Sequence, residues 1–324
     1  MGVLGRFMVG ITKLMPRFFV AGVARRYVAG RDIESAVAVM KKLSTEGACF
    51  TVDVLGEEIS NLTEAQFFID EYDRVLDAIV VNKLDANLSI KPTAFGLLID
   101  EEKAYENIER LLRNAGEHDI FVRLDMEDNR VTQPTIDIVI AMHAKGLHNV
   151  GTVLQSRLFR TPSDIELICN QLGGGADFRI CKGVYLEESS ISHTEYQPIV
   201  DAFNEHIDQI LDHGAYAGIA SHDWPIIEHS LAALEARGMG PGNSDPREGS
   251  AGKRLGKGPG YEFQMLLGVR GNIRRRLAKA GHRTRIYIPY GERWYEYSMR
   301  RLDENPDVAM HITKSIFMPW TNRR

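Results

Sequence analysis

The sequence predicts an α/β fold, a closed (β/α)8 TIM-like barrel preceded by an N-terminal helical arm. Three observations carry this. Eight short apolar, β-branched runs lie between residues 48 and 291, each closing on a polar residue or glycine. Helical patterns separate them, and strands alternating with helices imply parallel pairing. The span from 46 to 306 matches the ~250 residues such a barrel needs. The alternative, a doubly wound sheet, lacks its signature, because no GxGxxG follows the first run.

The strand runs are ACFTVDVLG (48–56), NLSIKPTAFG (87–96), IFVRLDMED (120–128) and NVGTVLQ (149–155). The second half adds DFRICKG (177–183), AGIASHD (217–223), YEFQMLLG (261–268) and RTRIYIPYG (283–291). Helical patterns between them begin with TEAQFFIDEYDRVLDAIV, EEKAYENIERLLRNAG and QPTIDIVIAMHAKG. PSDIELICNQLGG, YQPIVDAFNEHIDQILDHG and PIIEHSLAALEARG continue the series. Several start after Thr, Ser or Asp and stop at Gly, the residue types that cap helices. The expected division is an arm over 1–45, the barrel over 46–310 and a tail over 311–324.

Before residue 32 the chain holds no acid but carries Arg6, Lys13, Arg17, Arg25, Arg26 and Arg31. Leu4, Phe7, Ile11, Leu14 and Phe18 recur at helical spacing, which predicts a basic amphipathic helix. Three readings compete for it: packing on the barrel, which we favour, lying on an anionic membrane surface, or organellar targeting.

The chain has 324 residues, 44% of them hydrophobic and 26% charged, with a net charge of −5. Such a balance gives no reason to expect nucleic-acid binding. Cys49, Cys169 and Cys181 are odd in number and lack CxxC spacing, which argues for a reducing compartment and against a disulfide frame. No run approaches the ~18 apolar residues of a membrane span.

In barrels of this kind the site lies at the carboxyl ends of the strands. Those ends carry Asp53, Lys91, Asp125 with Glu127 and Asp128, Gln155, Arg179, Lys182 with Tyr185, Ser221 with His222, and Tyr287 with Tyr290. Lys91 suits either a Schiff base or a fixed positive charge for an anionic group. Alternate strand residues share a face, so Asp125 and Glu127 align and Asp128 does not. With no second acid-rich end a metal is not expected, and Asp125 suggests pairing with an arginine or a substrate amine. His143 and His148 stand five apart, wrong for one helix face, and read as structural. The loop 241–260 is glycine-rich and basic without the phosphate-loop pattern, and reads as a connection beside the mouth.

Tyr297, Arg300, Arg301 and Glu304 follow the last strand at offsets of three, four and seven, so they share one helix face. Two guanidinium forks suit a carboxylate, and the glutamate suits an amine, together a clamp for a zwitterion. A salt-bridged surface helix is the competing reading. No catalytic triad is identifiable, which suggests that a cofactor supplies the chemistry.

These motifs resemble the proline dehydrogenase family of flavoenzymes over about residues 46–306. RIYIPYGERWYEYSMRRLDEN is close to the family's Tyr-x-x-Arg-Arg-x-x-Glu helix and its preceding strand, and RICKGVYLE is similar to its Arg-Leu-x-Lys-Gly-Ala-Tyr segment. LSIKPTAFG, VRLDMED, VLQ, ASHD and YEFQMLLGV fall in the expected order. The resemblance implies a distorted (β/α)8 barrel that binds FAD and oxidises L-proline to Δ1-pyrroline-5-carboxylate by hydride transfer from proline C5 to flavin N5. It also implies that electrons pass to a membrane quinone.

It further implies that Lys91, Arg300 and Arg301 hold the proline carboxylate, with Glu304 and Asp125 near the amine or tying down the arginines. Tyr287 and Leu266 would pack on the proline ring, with Tyr185 and Tyr297 closing the pocket. Gln155, Arg179, Lys182, Gly183, Ser221 and His222 would contact the flavin. Pro92 after the lysine and Val184 before the tyrosine depart from the pattern. The chain is too short for the aldehyde-dehydrogenase module of some relatives, so a separate pyrroline-5-carboxylate dehydrogenase is expected downstream. A cytoplasmic protein, in contact with the inner membrane face through its acceptor, is the expected setting. The rivals are a cofactor-free barrel enzyme using Lys91 as Schiff base and a non-catalytic amino-acid binder.

Overall fold

A computed structural model describes residues 24, 26–243, 260–295, 297 and 298. The expected N-terminal helix up to residue 23, most of the 241–260 loop, Arg300, Arg301, Glu304 and the tail lie outside the described residues.

Eight strands close into a parallel barrel in sequential order. Helix α1 (Ile33–Ser44) precedes strand β1 (Ala48–Val54), and α2 (Leu62–Val81) and β2 (Ala86–Ile90) follow. Next come α3 (Glu101–Glu117), β3 (Val122–Leu124), α4 (Thr132–Ala144), β4 (Val150–Gln155) and α5 (Thr161–Leu172). The second half is β5 (Asp177–Cys181), α6 (Tyr196–Asp212), β6 (Tyr216–Ala220), α7 (Trp224–Ala236), β7 (Tyr261–Leu266), α8 (Gly271–Lys279) and β8 (Thr284–Tyr290). Strand β8 pairs back onto β1 from Ala48↔Thr284 to Val54↔Tyr290, which closes the ring.

The helices start where their sequence caps them. Asp32, Asn61 and Asp100 each accept a hydrogen bond from the backbone N–H three residues on, satisfying a donor that the first turn leaves unpaired. Helix α8 is absent from the sequence reading. Its segment GNIRRRLAK is so basic that the apolar stripe reduces to Ile273 and Leu277, which are buried. Helix α1 lies within the segment read as an arm, and its Ala36 and Met40 are fully buried in the apolar core.

Two layers of side chains separate on the strands. One alternate set, including Phe50, Val52, Leu88, Ile90, Phe178 and Ile180, packs outward against the helices and forms the apolar core. The inward set is polar. Arg123 and Arg285 are among the largest fully buried side chains. Arg123 pairs with Asp177 at 2.5 Å and Arg285 with Glu262 at 2.6 Å. Barrel interiors are usually filled by Val, Ile and Leu. Here the interior holds these buried ion pairs instead, and each arginine is matched by a carboxylate because an unmatched charge would be costly at that depth.

Candidate active site

The strand ends open into a cavity of about 500 Å³. Lys91, Asp125, Gln155, Arg179, Lys182, Gly183, Tyr185, His222, Leu266, Tyr287 and Tyr297 all line it. Ser221 does not. It is buried at the start of α7, where its Oγ accepts the Asp223 backbone N–H at 3.1 Å.

Lys91 follows the last residue of β2, and Pro92 opens a short 3-10 turn over Pro92–Phe95. A proline suits the first position of such a turn, since its φ is already set and its missing N–H is not needed there. The departure at Pro92 therefore ends the strand cleanly and keeps Lys91 at the mouth. Lys91 Nζ donates to Asp53 Oδ1 at 2.5 Å, and Asp53 is completely buried. Desolvation pulls the lysine toward neutrality, but the charges of Asp53 and Asp125 outweigh it and raise its pKa above the usual range. Burial raises the Asp53 carboxyl, against the pull of Lys91. A Schiff base needs a neutral amine, so this pairing works against the Schiff-base alternative and favours a fixed positive charge.

Asp125 is the junction of the site. Its Oδ1 accepts from Ser89 Oγ at 2.9 Å and from Arg179 Nη1 at 2.6 Å, and its Oδ2 accepts from Tyr287 Oη at 2.7 Å. Burial and the nearby Asp125 charge push the Tyr287 phenol well above its ordinary pKa, so it keeps its proton and donates. Arg179 also donates through Nη2 to Ser89 Oγ at 3.0 Å and through Nε to Gln264 Oε1 at 2.5 Å. Its guanidinium lies over the Tyr287 ring, 5.3 Å from the centroid.

Strand β3 ends at Leu124, so the alternation expected to align Asp125 with Glu127 stops short of both. Of the three acids that follow β3, Asp125 alone lines the cavity. Glu127 turns away and accepts the Thr93 backbone N–H at 3.1 Å and the Thr93 hydroxyl at 2.5 Å. Burial pushes its carboxyl up to about 7. Asp128 binds Arg130 at the surface.

The opposite wall comes from β4 to β7. Gln155 Nε2 donates to the Glu127 carbonyl at 2.9 Å. Lys182 Nζ pairs with Asp223 Oδ2 at 2.6 Å and sits 5.2 Å from the centre of the Tyr196 ring. Gly183 has φ +100°, and a Cβ there would come within 2.9 Å of Arg157 and of Gln155 Oε1. His222 Nε2 accepts the Leu266 backbone N–H at 3.0 Å, which leaves the proton of the neutral ring on Nδ1. Tyr297 is buried against Val28 and Leu55, with Trp294 beside it.

This donor set suits a planar ring with acceptors along its edge. Three of the five guanidinium N–H groups of Arg179 are used among the described residues, which leaves two on a side chain that lines the cavity. Gly183 lets the backbone stand close to whatever lies above it, and Val153, Met265 and Leu266 supply apolar surface.

The sequence reading did not select Gln264, Glu57 or Asp223 as site residues, and named Asp53 only as a strand end. Glu57 and Gln264 line the cavity. A polar residue at alternate positions of an otherwise apolar strand, as in Glu262 and Gln264, is the signal that marks an inward face.

Residues 36–314 match the family model described as "Proline dehydrogenase". The chain is 34% identical over 293 residues to proline dehydrogenase 1 of Bacillus subtilis subsp. natto, covering 90% of each chain. It is 30% identical over 297 residues to proline dehydrogenase of Deinococcus radiodurans, covering 90% of this chain and 89% of that one. Among solved structures, proline utilization A from Bdellovibrio bacteriovorus, inactivated by N-propargylglycine, matches with a TM-score of 0.77 at 19% identity. That match covers 94% of this chain but 34% of the other, so the chain spans about a third of that structure, and the likeness is one of fold.

Proposed function

The chain belongs to the proline dehydrogenase family, and on that premise we propose that it carries out the FAD-dependent oxidation of L-proline to Δ1-pyrroline-5-carboxylate, the first step of proline catabolism. The observation that supports this best is the convergence of Lys91, Asp125, Arg179 and Tyr287 on one cavity at the strand ends.

When bound, FAD supplies a two-electron acceptor, its N5 taking hydride from proline C5. The chain's own residues bind and orient. Lys91, held protonated by Asp53, fixes the substrate carboxylate as a positive charge. Arg300 and Arg301 add two guanidinium forks to that clamp, and Glu304 stands near the amine or ties them down; these three roles rest on the sequence motif. Tyr287 and Leu266 hold the pyrrolidine ring, with Tyr185 and Tyr297 closing over it. Clamping carboxylate and ring makes the transfer effectively intramolecular. Excluding water strengthens each charge in the clamp.

Gln155, Arg179, Lys182, Gly183 and His222 would hold the flavin, and Ser221 supports that wall through the start of α7. Arg179 offers two N–H donors to the ring edge, and Lys182 a positive charge to the side chain beyond it. The electron acceptor is a membrane quinone, reached by peripheral contact of a protein working on the cytoplasmic face. No helix among the described residues is long and apolar enough to cross a membrane. The product is the substrate of a pyrroline-5-carboxylate dehydrogenase.

The test is an absorbance spectrum of the purified protein before and after anaerobic L-proline. Flavin bands that bleach with L-proline are the expected result. Protein that takes up no flavin, even from added FAD, would overturn the reading.

A further inference from the structure

Beneath the cavity, a chain of buried groups runs through the barrel interior to Arg179. Arg285 Nε donates to Glu262 Oε1 at 2.6 Å and its Nη2 to Glu262 Oε2 at 3.0 Å. The Tyr216 hydroxyl donates to the same Oε2 at 3.1 Å. Gln264 Nε2 donates to Glu262 Oε1 at 2.6 Å, and Gln264 Oε1 accepts from Arg179 Nε at 2.5 Å. Glu262 and Arg285 are at most 1% exposed, and neither lines the cavity.

The direction of these bonds is forced. A carboxylate only accepts, so Glu262 compels the Gln264 amide to present its NH2 downward and its carbonyl oxygen upward. Turned over, the amide would set NH2 against the Arg179 Nε–H, donor against donor, and its oxygen against a carboxylate. An amide alone has no preference between the two settings; an ionised neighbour supplies one.

The backbone makes room for this link. Arg179 on β5 and Gln264 on β7 are two strands apart, and the residue between them on β6, in register with both Arg179 and Glu262, is Gly218. A Cβ at Gly218 would stand 2.7 Å from Gln264 Nε2 and 3.0 Å from the Phe178 carbonyl oxygen. Any side chain there would occupy the space through which the amide reaches the guanidinium.

We propose that Gln264, oriented by the Glu262–Arg285 pair and admitted by Gly218, is a positioning residue that sets the Arg179 guanidinium toward the bound flavin. This rests on the flavin reading above. It adds Gln264, Glu262, Arg285 and Gly218 to the working parts of the site, and of these Gln264 alone lines the cavity. The structure divides the labour on Arg179: Asp125 and Ser89 hold its outer nitrogens, and Gln264 fixes the remaining Nε.

The experiment uses the full chain loaded with FAD. Glu262→Gln, Gln264→Glu, the double variant E262Q/Q264E, Gln264→Met and Gly218→Ala are compared with the wild type. The measurements are the flavin midpoint potential and kcat and KM for L-proline. Glu262→Gln frees the amide to turn, and Gln264→Glu sets two carboxylates together. Each is expected to lower kcat roughly tenfold or more and shift the potential, with little change in KM. In the double variant the charge sits nearer Arg179, and the new amide at position 262 can donate to it while its oxygen accepts from Arg285 Nη2. The Arg285 Nε bond is lost, because that N–H and the position 264 side chain share Glu262 Oε1 in the wild type. The double variant should recover part of kcat and of the potential relative to Glu262→Gln, a rescue that lost packing alone would not produce. Gly218→Ala removes no hydrogen-bonding group and should reproduce the Gln264→Met effect.

Wild-type kcat and potential in Gly218→Ala and Gln264→Met would overturn the proposal, as would a double variant no better than Glu262→Gln alone. If Glu262→Gln fails to fold, Gly218→Ala and Gln264→Met carry the test by themselves. A wild type that takes up no flavin or leaves L-proline unoxidised would instead count against the function. The guanidinium position in ligand-free crystals of wild type and Gly218→Ala would then decide the positioning role, with an unmoved Arg179 overturning it.

Discussion

Lys91 Nζ lies 2.5 Å from Asp53 Oδ1, joining the ends of neighbouring strands β1 and β2 at the floor of the cavity. The pair fixes both the charge and the position of the lysine. Removing one partner of a buried pair leaves the other uncompensated. Asp53→Asn is therefore expected to destabilise the protein by about 3 kcal/mol, measured by urea unfolding. It should also raise the KM for L-proline several-fold, because the ammonium is no longer held at the carboxylate position. Unchanged KM would show that Asp53 does not place Lys91. Borohydride added with a small 2-oxo acid should leave Lys91 unmodified, and a stable adduct there would revive the Schiff-base alternative.

Glu127 makes stability depend on pH. Burial raises its carboxyl to about 7 from an ordinary 4.5, so across that interval the folded protein holds a proton that the unfolded chain has released. Stability from this group is complete below about pH 4.5 and is lost as the pH rises to about 7. Glu127→Gln removes the titration. Relative to that variant, the wild type should lose about 3 kcal/mol between pH 4.5 and 7. A stability difference between the two proteins that is the same at both pH values would refute this.

Gly183 stands where the backbone requires glycine. Its φ is +100°, and a methyl group added there would lie within 2.9 Å of Gln155 Oε1 and Arg157. Gly183→Ala therefore strains both the turn and the cavity wall. We expect a loss of about 1–3 kcal/mol and weaker FAD binding, read from thermal melting and flavin content. Full flavin occupancy with an unchanged melting temperature would show that the wall yields without cost.

The eight runs and most of the helices are legible because each rests on local rules: alternation along a strand, an apolar stripe around a helix, a capping residue at its start. Helix α8 is not legible because three consecutive arginines mask a stripe of two residues. The end of β3 is missed because LDMED continues the apolar pattern after the ladder has stopped, which put Glu127 on the wrong face. The cavity residues were found through a rule about folds, that strand ends meet, and through resemblance. No local signal names Asp53 as the partner of Lys91.

By itself, the sequence determined the order of the eight strands and of most helices, the parallel connection between strands and the residues that crown them, since these follow from patterns within a few positions. Only the tertiary structure decided who pairs with whom. Arg179 and Gln264 are 85 residues apart and meet across a glycine on the strand between them. Their contact, like that of Asp125 with Tyr287, exists because ring closure sets the stagger of eight strands at once. No stretch of chain short enough to carry a motif contains that condition.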